Sequence, residues 1–217
     1  MMGDRDSDSY NHSDAAAGSH NERLRIFCAL DMPQKVSEQA NDLIRRLRSR
    51  FPDVKAGWNR DGRFHLTLKF FGELSRHEVE ALSDVAAKVT ANISAFRIVV
   101  QDAGAFPPHG FPRVLWLGVT DLSGNLRKLQ ESLENECSLA GFPREERPFH
   151  PHLTLARIRK RRGGQGASGK TRALAAASKE LGFSPVEIEV SDLIVYRSEP
   201  GETGSRYTVI SRHRFQK

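Results

Sequence analysis

The chain has 217 residues, 38% of them hydrophobic, enough to bury a substantial core in one domain or in two closely packed lobes. Its formal net charge of +6 favours an anionic partner such as nucleic acid. No apolar stretch is long enough to span a membrane, and the N-terminus lacks the basic-then-apolar order of a secretory signal. These features exclude membrane and secreted classes and predict a cytoplasmic globular protein.

Two further features bound the fold. Residues 1–22 are polar and carry no apolar periodicity, so we expect a disordered tail there and a single bilobal domain over residues 23–215. Cys28 and Cys137 are lone residues in apolar patterns, without the Cys-x-x-Cys spacing of metal or redox sites. We interpret both as small core residues in a reducing cytosol.

The first half of the chain alternates between strand and helix patterns. Apolar runs predict the strands, and apolar residues at helical spacing predict the helices between them. The second helix has a capping-box pattern at its start, with Ser75 followed by Glu78. We expect strands at 24–30, 64–71 and 96–100, and helices after Pro33 and after Ser75.

The second half repeats this order after a Pro- and Gly-containing linker at 103–112. Such a repeat predicts an α+β fold with two pseudo-two-fold-related lobes, about 23–103 and 112–215, whose antiparallel or mixed sheets are flanked by helices around a central cleft. We expect a helix with an inner face from Leu122 to Cys137 and a short helix at 171–181, with strands at 114–119, around 152–155, at 186–196 and at 207–215.

One tetrapeptide occurs twice, at corresponding places in the two halves. Because side chains alternate between the faces of a strand, each histidine shares a face with its threonine while both leucines point to the other face. We therefore expect each polar face to line the cleft and each leucine pair to enter the core. The motif residues are His65, Leu66, Thr67 and Leu68, and His152, Leu153, Thr154 and Leu155.

Two histidines in one anion-binding cleft suffice for acid-base catalysis. An imidazole titrates near pH 6.5, so one ring can be neutral and the other protonated at neutral pH. In-line displacement at phosphorus needs a base for the attacking water and an acid for the departing oxygen. Threonine hydroxyls can donate hydrogen bonds to nonbridging phosphate oxygens. The mechanism requires no metal or other cofactor, and His150 with His152 lacks an acidic or thiol ligand at suitable spacing.

Several blocks around the two motifs occur in a characteristic order. They are LRIFCALDMP at 24–33, FHLTLKFFGE at 64–73, PRVLWLGV at 112–119 and PFHPHLTLAR at 148–157, followed by Tyr196, Ser198 and Tyr207. Over residues 24–215 the chain resembles the two-histidine phosphoesterases, and specifically the bacterial and archaeal RNA 2′,3′-cyclic phosphodiesterases, also described as 2′-5′ RNA ligases.

The resemblance implies metal-independent hydrolysis of an RNA-terminal 2′,3′-cyclic phosphate to a 2′-phosphomonoester, together with reversible 2′-5′ ligation. It implies that His65 is the proton donor and His152 the acceptor, that Thr67 and Thr154 hold the phosphate, and that Arg157 adds a phosphate contact. The residues alone leave open which histidine donates. The expected partners are RNA ends or nucleoside 2′,3′-cyclic phosphates, with no membrane and no obligate protein partner.

Strand parity makes two predictions about basic residues beside the motifs. Arg157 lies an odd number of residues from His152, so a regular strand would point it away from the cleft. Its phosphate contact therefore requires a bulge or a twist. By the same parity, Lys69 lies on the His65 face and adds positive potential there.

Two other functions compete with this one. Residues Gly164–Thr171 spell GQGASGKT, which satisfies the phosphate-loop pattern of nucleoside triphosphatases. Four basic residues, 159–162, separate this pattern from the preceding strand, and few residues remain to build a parallel sheet. The other alternative is a non-catalytic module that binds RNA ends. The role of the basic glycine loop at 159–171 stays open.

Overall fold

The computed structural model describes residues 22–59, 64–159, 165–201 and 204–216. Residues 1–21 of the expected tail and residues 160–164 of the expected basic loop lie outside these ranges. The described residues form four helices and nine strands. In chain order these are β1 (Leu24–Asp31), α1 (Gln34–Arg50), β2 (Ala56–Trp58), β3 (His65–Leu74), α2 (Arg76–Thr90), β4 (Phe96–Phe106), β5 (Val114–Thr120), α3 (Asn125–Leu139), β6 (His152–Ile158), α4 (Gln165–Leu181), β7 (Val186–Val190), β8 (Asp192–Gly201) and β9 (Gly204–Arg214).

The strands form two antiparallel sheets. The first has the order β3-β1-β8-β9, and the second has the order β2-β6-β5-β4-β7. Every pairing between named strands is antiparallel. One cluster of buried residues includes members of both sheets and of all four helices. The α+β class expected from the sequence is confirmed, and of the antiparallel or mixed sheets expected, the structure has antiparallel ones.

Sheet membership does not follow the predicted lobe boundaries at 23–103 and 112–215. β2 and β4 come from the first half of the chain but lie in the second sheet, while β8 and β9 come from the second half but lie in the first. The strand expected at 186–196 is two strands, β7 and β8, which Ser191 separates and which belong to different sheets. Apolar periodicity locates a strand but does not specify the strand with which it pairs. The sheet to which each strand belongs could therefore not be predicted from the apolar pattern.

The start of α2 confirms the predicted capping box. Ser75 Oγ accepts a hydrogen bond from the Glu78 backbone N–H at 3.3 Å, and Glu78 Oε2 accepts one from the Ser75 N–H at 2.6 Å. These contacts satisfy two of the backbone donors that every helix leaves unpaired at its N-terminus. In the part of the chain that the structure covers, no helix is long and apolar enough to cross a membrane.

The start of α3 differs from the prediction. Leu122, expected on the inner face, is 92% exposed, and the helix begins at Asn125. The carboxylate of Asp121 accepts hydrogen bonds from the Ser123 and Leu126 N–H groups, at 2.8 and 2.7 Å. These bonds hold 121–124 as a turn, so Leu122 lies before the helix rather than on its apolar stripe.

The phosphate-loop alternative is wrong. Residues from Gln165 to Thr171 belong to α4, whereas a phosphate loop needs non-helical backbone between a parallel strand and its helix. Lys170 Nζ lies 2.5 Å from a carboxylate oxygen of Asp53, and Thr171 is buried. The described sheets are antiparallel and provide no parallel strand ahead of the motif. The alanine-rich sequence extends the helix back through the Gly/Ser/Lys pattern.

Candidate active site

The two motifs open β3 and β6 and have the predicted facial pattern. His65 and Thr67 are half-buried, and so are His152 and Thr154. Each of the four motif leucines is at most 4% exposed. Both strands therefore present histidine and threonine on one face and anchor the other face in the core, as the alternation predicts.

The two motif strands lie next to each other where the sheets meet. β3 is an edge strand of the first sheet, and Cα atoms of β3 and β6 approach within 8 Å of one another. On its outer side, β6 pairs with β2 over Ala156–Ile158, and the Asn59 N–H donates to the Leu155 carbonyl at 2.8 Å. This pairing leaves the His152 end of the strand open toward β3.

A bulge in β6 returns Arg157 to the face of His152. Thr154 pairs with Trp116 and Ala156 pairs with Leu115, so Leu155 is an extra residue in the β6 strand. Leu155 and Ala156 are both buried, and Arg157 is exposed. The irregularity that a phosphate contact by Arg157 requires is present.

The corresponding bulge in β3 has a different consequence. Thr67 pairs with Ala29 and Lys69 pairs with Cys28, so Leu68 is the extra residue. Lys69 therefore points into the core, where Nζ lies 2.7 Å from a Glu134 carboxylate oxygen and 2.8 Å from the Pro143 carbonyl oxygen. The expectation that Lys69 shares the His65 face is wrong, because the bulge shifts the alternation by one residue.

His152 lies in a partly apolar environment with its tautomer fixed. Its Nδ1 is 2.7 Å from the His150 carbonyl oxygen, so Nδ1–H donates and Nε2 carries the lone pair. The Phe106 ring packs edge-on against the imidazole with centroids 5.1 Å apart. Burial lowers the pKa of His152 below its usual value, and the positive charge of Arg157 lowers this pKa further, while the hydrogen bond to His150 opposes these effects.

His65 lies among three aromatic rings. The centroids of Phe27 and Tyr207 are each 4.9 Å from the imidazole centroid, and that of Tyr196 is 6.0 Å away. The Tyr196 hydroxyl donates to a carboxylate oxygen of Asp31, the residue paired directly with His65 across β1 and β3. The two tyrosines come from β8 and β9, so only the family resemblance indicated them in the sequence.

Other candidate nucleophiles and ligands lie elsewhere. Cys28 and Cys137 are free and buried, and burial raises the pKa of both thiols, to about 12 for Cys137. Neither thiol is suited to act as a thiolate nucleophile at neutral pH. Across the described ranges, no three His, Cys, Asp or Glu side chains are grouped closely enough to hold a metal ion.

Comparison with known proteins identifies the family of this chain. The family model described as the 2′-5′ RNA ligase superfamily matches residues 33–202, which include both motifs. The chain belongs to the 2′-5′ RNA ligase superfamily. It is 31% identical to the RNA 2′,3′-cyclic phosphodiesterase of Thermotoga maritima over 193 residues, which cover 89% of this chain and 96% of that protein.

Other members of the superfamily are similar to this chain in sequence and in structure. The RNA 2′,3′-cyclic phosphodiesterase of Aeropyrum pernix is 34% identical over 151 residues, covering 69% of this chain and 81% of that protein. The crystal structure of Escherichia coli LigT complexed with 3′-AMP superimposes with a TM-score of 0.67 at 27% identity, covering 90% of this chain and all of LigT. The expected family and fold are confirmed by these comparisons.

Proposed function

We propose that this protein is an RNA 2′,3′-cyclic phosphodiesterase that opens a terminal cyclic phosphate to a 2′-phosphomonoester. One observation supports this activity above all others: two His-x-Thr faces lie on strands that meet at the junction of the sheets. Relatives that are named RNA 2′,3′-cyclic phosphodiesterases match most of the chain. Its substrates are RNA ends or nucleoside 2′,3′-cyclic phosphates.

His152 is the general base in this proposal. Its Nδ1–H donates to the His150 carbonyl, which leaves the Nε2 lone pair available to accept a proton from water. Because burial lowers the pKa of His152, the ring is neutral at neutral pH and needs no prior deprotonation. The fixed tautomer also keeps the accepting nitrogen in one orientation.

His65 is the general acid, because the second histidine must supply the proton that the departing oxygen requires. Thr67 and Thr154 share the faces of their histidines, so their hydroxyls can donate to the nonbridging phosphate oxygens. Arg157 adds a guanidinium on the His152 strand, suited to bind the phosphate through two parallel hydrogen bonds.

The reaction is a single displacement at phosphorus. The water oxygen forms a bond to phosphorus as His152 takes one of its protons, while the bond to the ribose 3′ oxygen breaks and His65 protonates that oxygen. The product is a 2′-phosphomonoester with a free 3′-hydroxyl. If the 5′-hydroxyl of a second RNA end attacks phosphorus in place of water, the same proton transfers give a 2′-5′ linkage. Reversible ligation therefore uses the same two histidines as hydrolysis.

We propose that the reaction needs no metal and no obligate protein partner, and that it takes place in the cytoplasm. Metal independence follows from the chemistry, since two imidazoles and hydrogen-bond donors supply the proton transfers and the charge stabilisation. The cytoplasm remains our prediction for the compartment because the two cysteines are buried free thiols, which suit a reducing environment.

The test is an assay in EDTA on an oligonucleotide that ends in a 2′,3′-cyclic phosphate, with the product end identified by ³¹P NMR. We expect a 2′-phosphomonoester from the wild type. Catalytically inactive His65→Ala and His152→Ala variants that still bind the oligonucleotide would support turnover at this site. A wild type that binds the RNA end without opening the ring would instead favour the non-catalytic binding module.

A further inference from the structure

Asp31 lies directly across the first sheet from His65. The two residues are Cα partners in the antiparallel pair of β1 and β3. The Met32 N–H donates to the Phe64 carbonyl at 3.1 Å, so Asp31 and His65 form a non-hydrogen-bonded pair. In such a pair the facing residues come closest, with Cα atoms about 4.5 Å apart. The carboxylate and the imidazole therefore extend side by side from neighbouring strands.

Two contacts from other strands hold the Asp31 carboxylate on the open face of the sheet. The Tyr196 hydroxyl donates to Oδ1, and the Tyr196 ring centroid lies 6.0 Å from that of His65. An Arg212 nitrogen donates to Oδ2 at 3.3 Å. These partners belong to β8 and β9, on the side of β1 away from β3. They fix the carboxylate without separating it from His65.

The corresponding position beside the second motif carries no side chain. The Cα partner of His152 on β5 is Gly118. The charged residue that the bulge places on the face of His152 is Arg157. Burial lowers the pKa of His152, and the positive charge of Arg157 lowers it further. One motif histidine therefore faces an anion, and the other has a cation on its own strand.

These two environments favour opposite protonation states of the imidazoles. A neighbouring carboxylate stabilises the protonated ring, whereas a neighbouring guanidinium favours the neutral ring. A general acid must hold its proton when the substrate binds, and a general base must be free to accept one. The charges beside the two histidines thus match the roles of acid for His65 and base for His152.

Other titratable groups also lie on the open face around His65. Besides Asp31, the described ones are Tyr196, Asp192, Tyr207, Arg212, His152 and Arg157. Phenols are uncharged at neutral pH. Arg212 is on a strand two places beyond β1 and is shared with Asp192, at 3.8 Å. Asp31 is on the strand that adjoins β3, and its charge dominates at His65 because electrostatic energy falls with distance.

We propose that Asp31 keeps His65 in its protonated form and thereby determines which motif histidine acts as the acid; this inference rests on the proposed function. Asp31 is a positioning residue in this proposal, because it acts through His65 and not on the substrate. Its negative charge stabilises the imidazolium that gives its proton to the departing 3′ oxygen. The two motifs are equal in sequence, and the residue across the sheet makes their histidines unequal.

The first test is an NMR titration of the free protein, followed at the His65 Cε1–H signal and assigned by the loss of that signal in His65→Ala. We expect Asp31→Asn to lower the titration midpoint by about 0.5–1 pH unit. This is less than a buried pair would give, because the Asp31 side chain is 41% exposed and solvent screens its charge. Asp31→Glu keeps the charge and should restore most of the midpoint.

Asp42→Asn is the matched control for removing a carboxylate. Asp42 lies on α1, pairs with Arg45 and Arg46, and has a side chain that is 51% exposed. It therefore resembles Asp31 in exposure and in having an arginine partner, but it is remote from the His65 pair. The His65 midpoint should move by less than about 0.2 pH unit in this variant.

The pH profile of kcat/KM on a nucleoside 2′,3′-cyclic phosphate gives a second readout. His65 must be protonated to donate, so activity falls as the pH rises through its titration. Asp31→Asn should move this basic limb to lower pH, which lowers kcat/KM about three- to tenfold above the limb and less than about twofold on the plateau. A merely structural role would lower kcat/KM at every pH and leave the limb in place.

An unchanged or higher His65 midpoint in folded Asp31→Asn would overturn the proposal, and so would an equal shift in Asp42→Asn. If Asp31→Asn does not fold, Asp31→Ser replaces it and is judged by the same midpoint, since serine removes the charge and keeps an acceptor for Tyr196. A wild type that opens no cyclic phosphate would overturn the proposed function instead. The NMR titration needs no turnover and would still decide the role of Asp31.

Discussion

Arg157 and Phe70 occupy equivalent positions in the two motif strands, each five residues beyond its histidine and each returned to the open face by a bulge. An unbroken strand would point both side chains into the core. The bulges therefore do more than bend the strands, because they determine which side chains lie beside histidine and threonine on the open face of each motif strand. In β6 that group is a guanidinium, and in β3 it is an aromatic ring.

We expect Arg157→Ala to lower kcat/KM about ten- to hundredfold, because hydrogen bonds to charged groups contribute about 1.5–3 kcal/mol. Arg157→Lys should recover only part of this loss, since lysine keeps the charge but not the planar pair of donors. Steady-state kinetics on a nucleoside 2′,3′-cyclic phosphate measures both. Arg127→Ala, at an 80% exposed arginine side chain on α3, is the control, and an equal loss there would rule out a specific role for Arg157.

His65→Ala and His152→Ala should each reduce kcat by at least about a hundredfold, the usual scale for losing a general acid or base. His150→Ala should change kcat little, because the backbone carbonyl of His150, and not its ring, binds His152 Nδ1. Single-turnover assays with folded variants, checked by circular dichroism, make the comparison. Full activity in either motif variant would remove that histidine from the mechanism.

The pH profile of kcat/KM should have an acidic limb below pH 6.5, the ordinary pKa of histidine. His152 must be neutral to accept a proton, so activity falls as the pH drops through its pKa, and burial together with Arg157 lowers that pKa. Arg157→Ala removes one of these effects and should move the limb to higher pH. A limb above pH 6.5 in the wild type, or a shift to lower pH in the variant, would contradict this account of His152.

The local parts of this fold could be predicted from the sequence because they depend on near neighbours. The capping box at Ser75 and Glu78 forms as its spacing predicts, and the four motif leucines enter the core as alternation requires. The shared face of each histidine and threonine follows from the same two-residue period. These features need no information about which strands pair.

The rest of the site depends on long-range pairing. The orientation of Lys69 is set by a register shift between β3 and β1, which no local pattern records. Tyr196 and Tyr207 reach His65 because β8 pairs with β1 and β9 pairs with β8. Sequence patterns gave the order of these strands along the chain, whereas their order in the sheet follows from packing of the whole chain.

The buried Lys69–Glu134 pair should matter for stability more than an exposed pair of similar length. Lys69→Met leaves a buried carboxylate without its cation, which costs about 3–5 kcal/mol of unfolding free energy, and adding Glu134→Leu should recover most of that loss. Lys88 forms a 2.6 Å ion pair with Glu136, and the Lys88 side chain is 63% exposed. Lys88→Met should therefore lower the free energy of unfolding by less than about 1 kcal/mol. Urea denaturation measures all three, and equal costs at Lys69 and Lys88 would contradict the argument.

The assignment of His65 as acid and His152 as base is tested most directly with a substrate whose 3′ oxygen is replaced by sulfur. A thiolate leaves without a proton far more readily than an alkoxide, since a thiol has a pKa near 8.5. We predict that the kcat defect of His65→Ala shrinks from at least about a hundredfold to less than about tenfold on this substrate, while the defect of His152→Ala persists. Rescue of His152→Ala instead of His65→Ala, or rescue of neither variant, would contradict it.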